Sequence, residues 1–153
     1  MVAFFIREPH VRPFMHKLFN GAMFDMYEAR SVSVTHFIKL DADGAYTVKN
    51  TDGGGASYAS WSELKPYIFY FIKGKIKPSH IKIVFSCPAS LLASVSPEAA
   101  AAFINFEYAE NEVRLLTATS RREFSLNKEH DALWDEYARG FLRANEIAFE
   151  EES

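Results

Sequence analysis

The sequence is poor in the residues that staple, coordinate or span. Cys87 is the only cysteine in 153 residues, so no disulfide forms within the chain and stability must come from packing. A reducing cytoplasm is the expected location. Long apolar runs are also missing: Tyr67 to Ile72 is bracketed by Pro66 and Lys73, whereas a bilayer-spanning helix takes ~20 apolar residues. No membrane partner is expected. The first ten residues, MVAFFIREPH, turn charged at Arg7 and do not read as a signal peptide.

Catalytic and metal-binding signatures are equally scarce. His10, His16, His36, His80 and His130 are scattered, with no H-E-x-x-H and no Cys-His cluster, so neither a metal nor a cofactor is expected. GASYA at 55–59 stops short of a nucleophile elbow because Ala59 replaces the closing glycine and TDGGG, not a buried strand, precedes it. The glycine run at 53–55 lacks the G-K-[ST] that completes a phosphate loop. Cys87, followed by Pro88, reads as a small apolar filler.

What is present is ordinary globular composition, 48% hydrophobic and 24% charged, with fourteen phenylalanines for bulky packing. Net charge is −3 but unevenly placed. Residues 1–82 hold eleven Lys/Arg against seven Asp/Glu, and residues 83–153 hold six against thirteen. The basic half suits an anionic partner.

Hydrophobic periodicity outlines the elements. Val2 to Arg7 alternates as a strand, and Val11, Phe14, Met15, Leu18 and Phe19 fall on one helical stripe, with Asn20-Gly21 as its left-handed stop. ARSVSVTHFIKL switches to period two, placing His36 on the apolar face with Val32, Val34, Ile38 and Leu40. DADG at 41–44 should turn it into a partner strand, AYTVKN. Thr51 to Ser57 reads as a loop. In SWSELKPYIFYFIKGK, Ser60 and Glu63 have capping-box spacing, Trp61, Leu64, Ile68, Phe71 and Ile72 form a core stripe, and Gly74 closes the helix. HIKIVFS is a strand, ASLLAS and SPEAAAA suit short helices, and FINFEYAENEVRLLTATSRREFSLN reads as a three-strand meander with turns near Glu110-Asn111 and Ser120-Arg121. Asn127 opens a final helix with Leu133, Trp134, Tyr137, Phe141 and Leu142 on one stripe. The expected architecture is α+β: a mostly antiparallel sheet with helices on one face, built from two degenerate β-α-β-β units plus a C-terminal helix. Residues 1–149 form one domain in this reading, and 150–153 an acidic tail.

Two places are left for function. Lys73, Lys75, Lys77 and Lys82, with Tyr70 turned away from the core stripe, make a candidate surface for nucleic acid or a protein partner. His36, interrupting an apolar face near the 51–57 loop, marks a candidate pocket for a small ligand.

MHKLFNGAMFD, SWSELKPYIFYFIKGK and FSLNKEHDALWDEYARGFL resemble segments of a family of uncharacterised short proteins from clostridial-type Gram-positive bacteria. That resemblance implies kinship without an activity. FINFEYAENEVRLLTATSRREFSLN is similar to a hairpin segment of DNA polymerase sliding clamps, which implies a clamp-like fold and a surface for nucleic acid. One such domain is too few to close a ring, and the helix at 61–73 departs from the clamp pattern. The favoured function is a non-enzymatic binding or interaction protein. The competing reading is a small-ligand protein or an enzyme with a pocket near His36.

Overall fold

The computed structural model describes residues 1–48, 57–121 and 129–152. Its elements are β1 (Ala3–Ile6), α1 (Val11–Phe19), β2 (Glu28–Thr35), β3 (Lys39–Asp43), α2 (Trp61–Ile72), β4 (His80–Ser86), α3 (Ala89–Val95), β5 (Ala99–Ala109), β6 (Glu112–Arg121), α4 (Glu129–Ala144) and β7 (Glu150–Glu152). The strands form one antiparallel sheet in the order β3-β2-β4-β5-β6-β1-β7. The fold is α+β, and the order β-α-β-β occurs twice, with α2 between the units and α4 following.

Register explains why the helices share one face. Val34, Ile81, Tyr108, Val113 and Ile6 lie opposite one another in a row across the strands, and Val32, Ile83, Phe106, Leu115 and Phe4 form the next apolar row. All ten are buried. Phe14 of α1 stacks on Phe106 at 6.0 Å, and Phe24, in the connection from α1 to β2, stacks on Phe85 at 4.5 Å. The intervening row is Ser33, Lys82, Glu107, Arg114 and Phe5, which gives the other face to water.

Several local expectations are overturned. The β2–β3 hairpin turns at His36–Ile38 rather than at DADG, where His36 N–H donates to the Ile38 carbonyl at 3.0 Å. Asp41 and Asp43 are therefore strand residues, and His36 sits in the turn instead of on the apolar strand face. SPEAAAA is not helical: Ala99 to Ala102 begin β5 and pair with β6. Tertiary pairing overrides the helix propensity of alanine there. Asn20 keeps φ −110, so α1 lacks the left-handed stop; a Cβ at Gly21 would come 2.9 Å from the Lys17 carbonyl oxygen, which is what glycine relieves. Ser60 is the N-cap of α2 but makes no capping hydrogen bond, and the Glu63 carboxylate instead accepts from the Tyr46 hydroxyl at 2.8 Å. Gly74, at φ +137, does follow the helix end.

In α2 only Trp61 and Ile68 of the anticipated stripe are fully buried, with Leu64, Phe71 and Ile72 packed at the core margin. In α4, Trp134, Ala138 and Leu142 are buried, but Leu133 is half exposed. The meander contains β5 and β6 joined at Glu110-Asn111, but Ser120 and Arg121 are not a turn: they continue β6, paired with Ala101 and Ala99. The residues expected to form a third strand, and the helix start at Asn127, lie outside the described residues. The acidic end adds β7 to the edge of β1, with its side chains exposed.

Candidate functional site

Two side chains hold α1 against α2 and so shape the space between them. Trp61 is fully buried and its indole N–H donates to the Leu18 carbonyl at 3.0 Å. Lys65 donates to the Gly21 carbonyl at 2.7 Å and to Asp25 at 2.6 Å. Above Trp61, Phe19 meets Phe69 at a ring separation of 6.0 Å. Beyond that contact, towards the C-terminal end of α2, the helices enclose a cleft of about 390 Å³, within the usual size range for small-molecule sites.

Three elements supply its walls. On α1, Val11, Arg12, Met15, His16 and Phe19 recur at the spacing that keeps them on one flank of the helix. Phe69, Ile72 and Lys73 come from the end of α2, and Lys77 and Pro78 from the segment leading into β4. Ile81 and Tyr108 form the floor on the sheet. Glu8, Asn20 and Asn111 complete the rim. The lining thus combines apolar side chains with the cationic residues Arg12, Lys73 and Lys77. Among the described residues, Arg12, Lys73 and Lys77 have no ion-pair partner, and Glu8 is the one carboxylate in the lining. Lys73 also lies 4.5 Å from the centre of the Tyr70 ring.

The structure separates the lysines singled out in the sequence. Lys73 and Lys77 line the cleft, Lys75 is exposed beside it, and Tyr70 is exposed on the outer side of α2. Lys82 belongs to the open sheet face, opposite Glu107 in register. There the Glu107 carboxylate accepts from His80 Nε2 at 2.9 Å and pairs with Arg114 at 3.3 Å. The hydrogen bond from His80 is the largest influence and lowers its pKa below the ordinary glutamate value; burial opposes it, and the charges of Arg114, His80 and Lys82 add to the lowering.

His36 does not line the cleft. Its ring stands edge-on to Phe37 and Phe71 at 5.6 and 5.8 Å, and its Nδ1 is buried without a hydrogen-bond partner. Most of the loop expected beside it, residues 51–56, lies outside the described residues. Cys87 is buried, and burial, then the charge of Glu28, push its thiol up to about 12, well away from nucleophilic use. Among the described residues no group of three or more His, Cys, Asp or Glu could hold a metal ion, and no helix is long and apolar enough to cross a membrane.

Sequence reasoning missed Arg12, His16 and Phe69. The usable signal was the Arg12/His16 pair at i, i+4 on the margin of the α1 apolar stripe. What could not be read was which helix end would face it.

In comparison with known proteins, a family of unknown function, DUF5721, matches residues 17–150. No curated protein and no solved structure matches the chain.

Proposed function

This chain belongs to the DUF5721 family, whose description assigns no activity, and from its own geometry we propose a non-enzymatic protein that binds an anionic small molecule with an apolar body in the α1–α2 cleft. The observation carrying this reading is the pairing of an apolar floor with the unpaired cations Arg12, Lys73 and Lys77 and the neighbouring His16. An apolar body gains by leaving water, and a carboxylate or phosphate ester at its end meets charge-assisted donors at the rim. Binding is favoured over acyl transfer by a serine, threonine or cysteine nucleophile because the described lining contains none of the three.

Matched ten-carbon amphiphiles test it by calorimetry. Decanoate should bind, decanol more weakly, and decylammonium not at all. Lys73→Glu with Lys77→Glu should weaken decanoate at least tenfold, which corresponds to about 1.4 kcal/mol. Met15→Trp should occlude the cleft in a protein that still unfolds cooperatively. Equal binding of decanoate and decylammonium, or decanoate binding unaffected by Met15→Trp, would remove the cleft as the site.

A further inference from the structure

The end of the molecule beside the cleft carries a second feature, which shares Lys73 and Lys77 with the cleft but none of its apolar lining. Phe37, Tyr67, Tyr70 and Ile76 each keep between 72% and 75% of their surface exposed, and Ile38 keeps 54%. These five are most of the large exposed apolar side chains among the described residues. They come together because four chain ends meet here. Thr35, at the end of β2, pairs with Lys39 of β3 and with His80 of β4. Phe37 at the hairpin tip touches Phe71 in the last turn of α2, with ring centres 5.8 Å apart. The segment from Lys73 to Ser79 then returns to the same corner, where Ser79 N–H donates to the Thr35 carbonyl at 2.9 Å.

Charge identifies the partner. Residues 36–39 and 67–77 include Lys39, Lys73, Lys75 and Lys77 and not one aspartate or glutamate. A second copy of this surface would bring lysine against lysine. Nucleic acid would satisfy the lysines, but Ile38 and Ile76 neither stack on bases nor contact phosphates. A folded protein partner would need a separate pocket for each apolar tip, since they protrude from a three-residue turn, a helix flank and a loop. A fluid interface accepts any contour. Tyrosines suit the headgroup level, aliphatic tips suit the acyl boundary just beneath it, and lysines suit anionic headgroups.

We infer that this corner, comprising the β2–β3 tip, the outer C-terminal flank of α2 and the loop around Ile76, docks on the surface of an anionic lipid bilayer. No spanning segment is required. The tips reach no deeper than the boundary between headgroups and acyl chains, while the sheet and the rest of the helical layer stay in water.

Vesicle co-sedimentation tests this with the whole chain. Phosphatidylcholine vesicles containing about 30% phosphatidylglycerol should retain the protein at low salt and release it as salt rises. Vesicles of phosphatidylcholine alone should bind far less. Ile76→Asp and Phe37→Ser should each reduce partitioning at least tenfold, and each of Lys73→Gln, Lys75→Gln and Lys77→Gln roughly fivefold. Lys82→Gln, on the open sheet face, should leave vesicle binding unchanged. All these side chains are exposed, so urea unfolding should be unaltered and should separate lost docking from lost folding. Met15→Trp, which fills the cleft, should leave vesicle binding intact. Equal retention by neutral and anionic vesicles, or retention insensitive to Ile76→Asp and Phe37→Ser, overturns the inference. So does absence of vesicle binding, and a single-stranded oligonucleotide or an acidic peptide bound under the same conditions would then identify the other class of partner.

Discussion

At the scale of single residues, the open sheet face offers the cleanest test of how charge is arranged. Glu107 is held deprotonated chiefly by the hydrogen bond from His80, with Arg114 and Lys82 adding charge. A carboxyl whose folded pKa lies below its unfolded value stabilises the fold above the ordinary glutamate range and loses that contribution as pH falls through the lowered value. His80→Ala removes the largest cause and leaves Arg114 in place. The Glu107 carboxyl, followed by NMR titration, should therefore move up from its lowered pKa. A titration unchanged by the substitution would assign the shift to Arg114 instead. None of this was legible in the sequence. His80 and Glu107 are 27 positions apart, and only the β4–β5 register makes them neighbours. Lys82 was misplaced for the same reason. Grouped with Lys73, Lys75 and Lys77 by proximity along the chain, it points the other way because strand side chains alternate.

At the scale of elements, the helices were more legible than the turns. The α1 stripe and the α2 stripe follow from 3.6-residue periodicity, and the structure keeps Val11, Phe14, Leu18, Phe19, Trp61 and Ile68 in the core. Turn positions were less secure. DADG has ideal turn composition, yet the hairpin closes at His36–Ile38, because that register puts Leu40 opposite Val34 and Ala42 opposite Val32. Glu110 and Asn111 both take positive φ, 51 and 61, in the tight β5–β6 turn, and asparagine there was a readable signal. Burial on α2 then ranks two substitutions. Ile68 is 2% exposed, so Ile68→Ala should cost about 2–5 kcal/mol in urea unfolding. Tyr70→Ala should stay within about ±0.5 kcal/mol, since the ring faces solvent and, among the described residues, meets the Lys73 ammonium. The reverse ranking would mean that the outer flank of α2 is covered in the folded protein, and the surface assigned to a lipid interface would not be free.

At the scale of the whole molecule, the sheet places the α1–α2 cleft and the β7 edge on different strands. The α1–α2 cleft opens over Ile81 and Tyr108 on β4 and β5, whereas β7 lies beyond β6 and β1 at the sheet edge. The sequence marked the last residues only as acidic. Nothing in Glu150 to Glu152 favours a strand, and the pairing arises because β1 offers an edge and because Arg139 and Arg7 stand ready as partners. Arg139 donates from Nε to both carboxylate oxygens of Glu151 at 3.0 Å, which lowers the Glu151 pKa and joins α4 to the sheet edge. These contacts are exposed, so their net contribution is small despite the geometry. A chain ending at Phe149 keeps the edge-on contact of Phe149 with Phe4 at 5.1 Å and loses only the strand pairing and the ion pairs. It should unfold in urea about 1–2 kcal/mol more easily, while binding decanoate with the affinity of the full chain, because β7 supplies no residue to the cleft lining. A truncated protein of unchanged stability would show that β7 does not hold the edge of β1. Decanoate affinity falling in step with stability would instead make the sheet a single coupled unit in which the far edge sets the shape of the cleft.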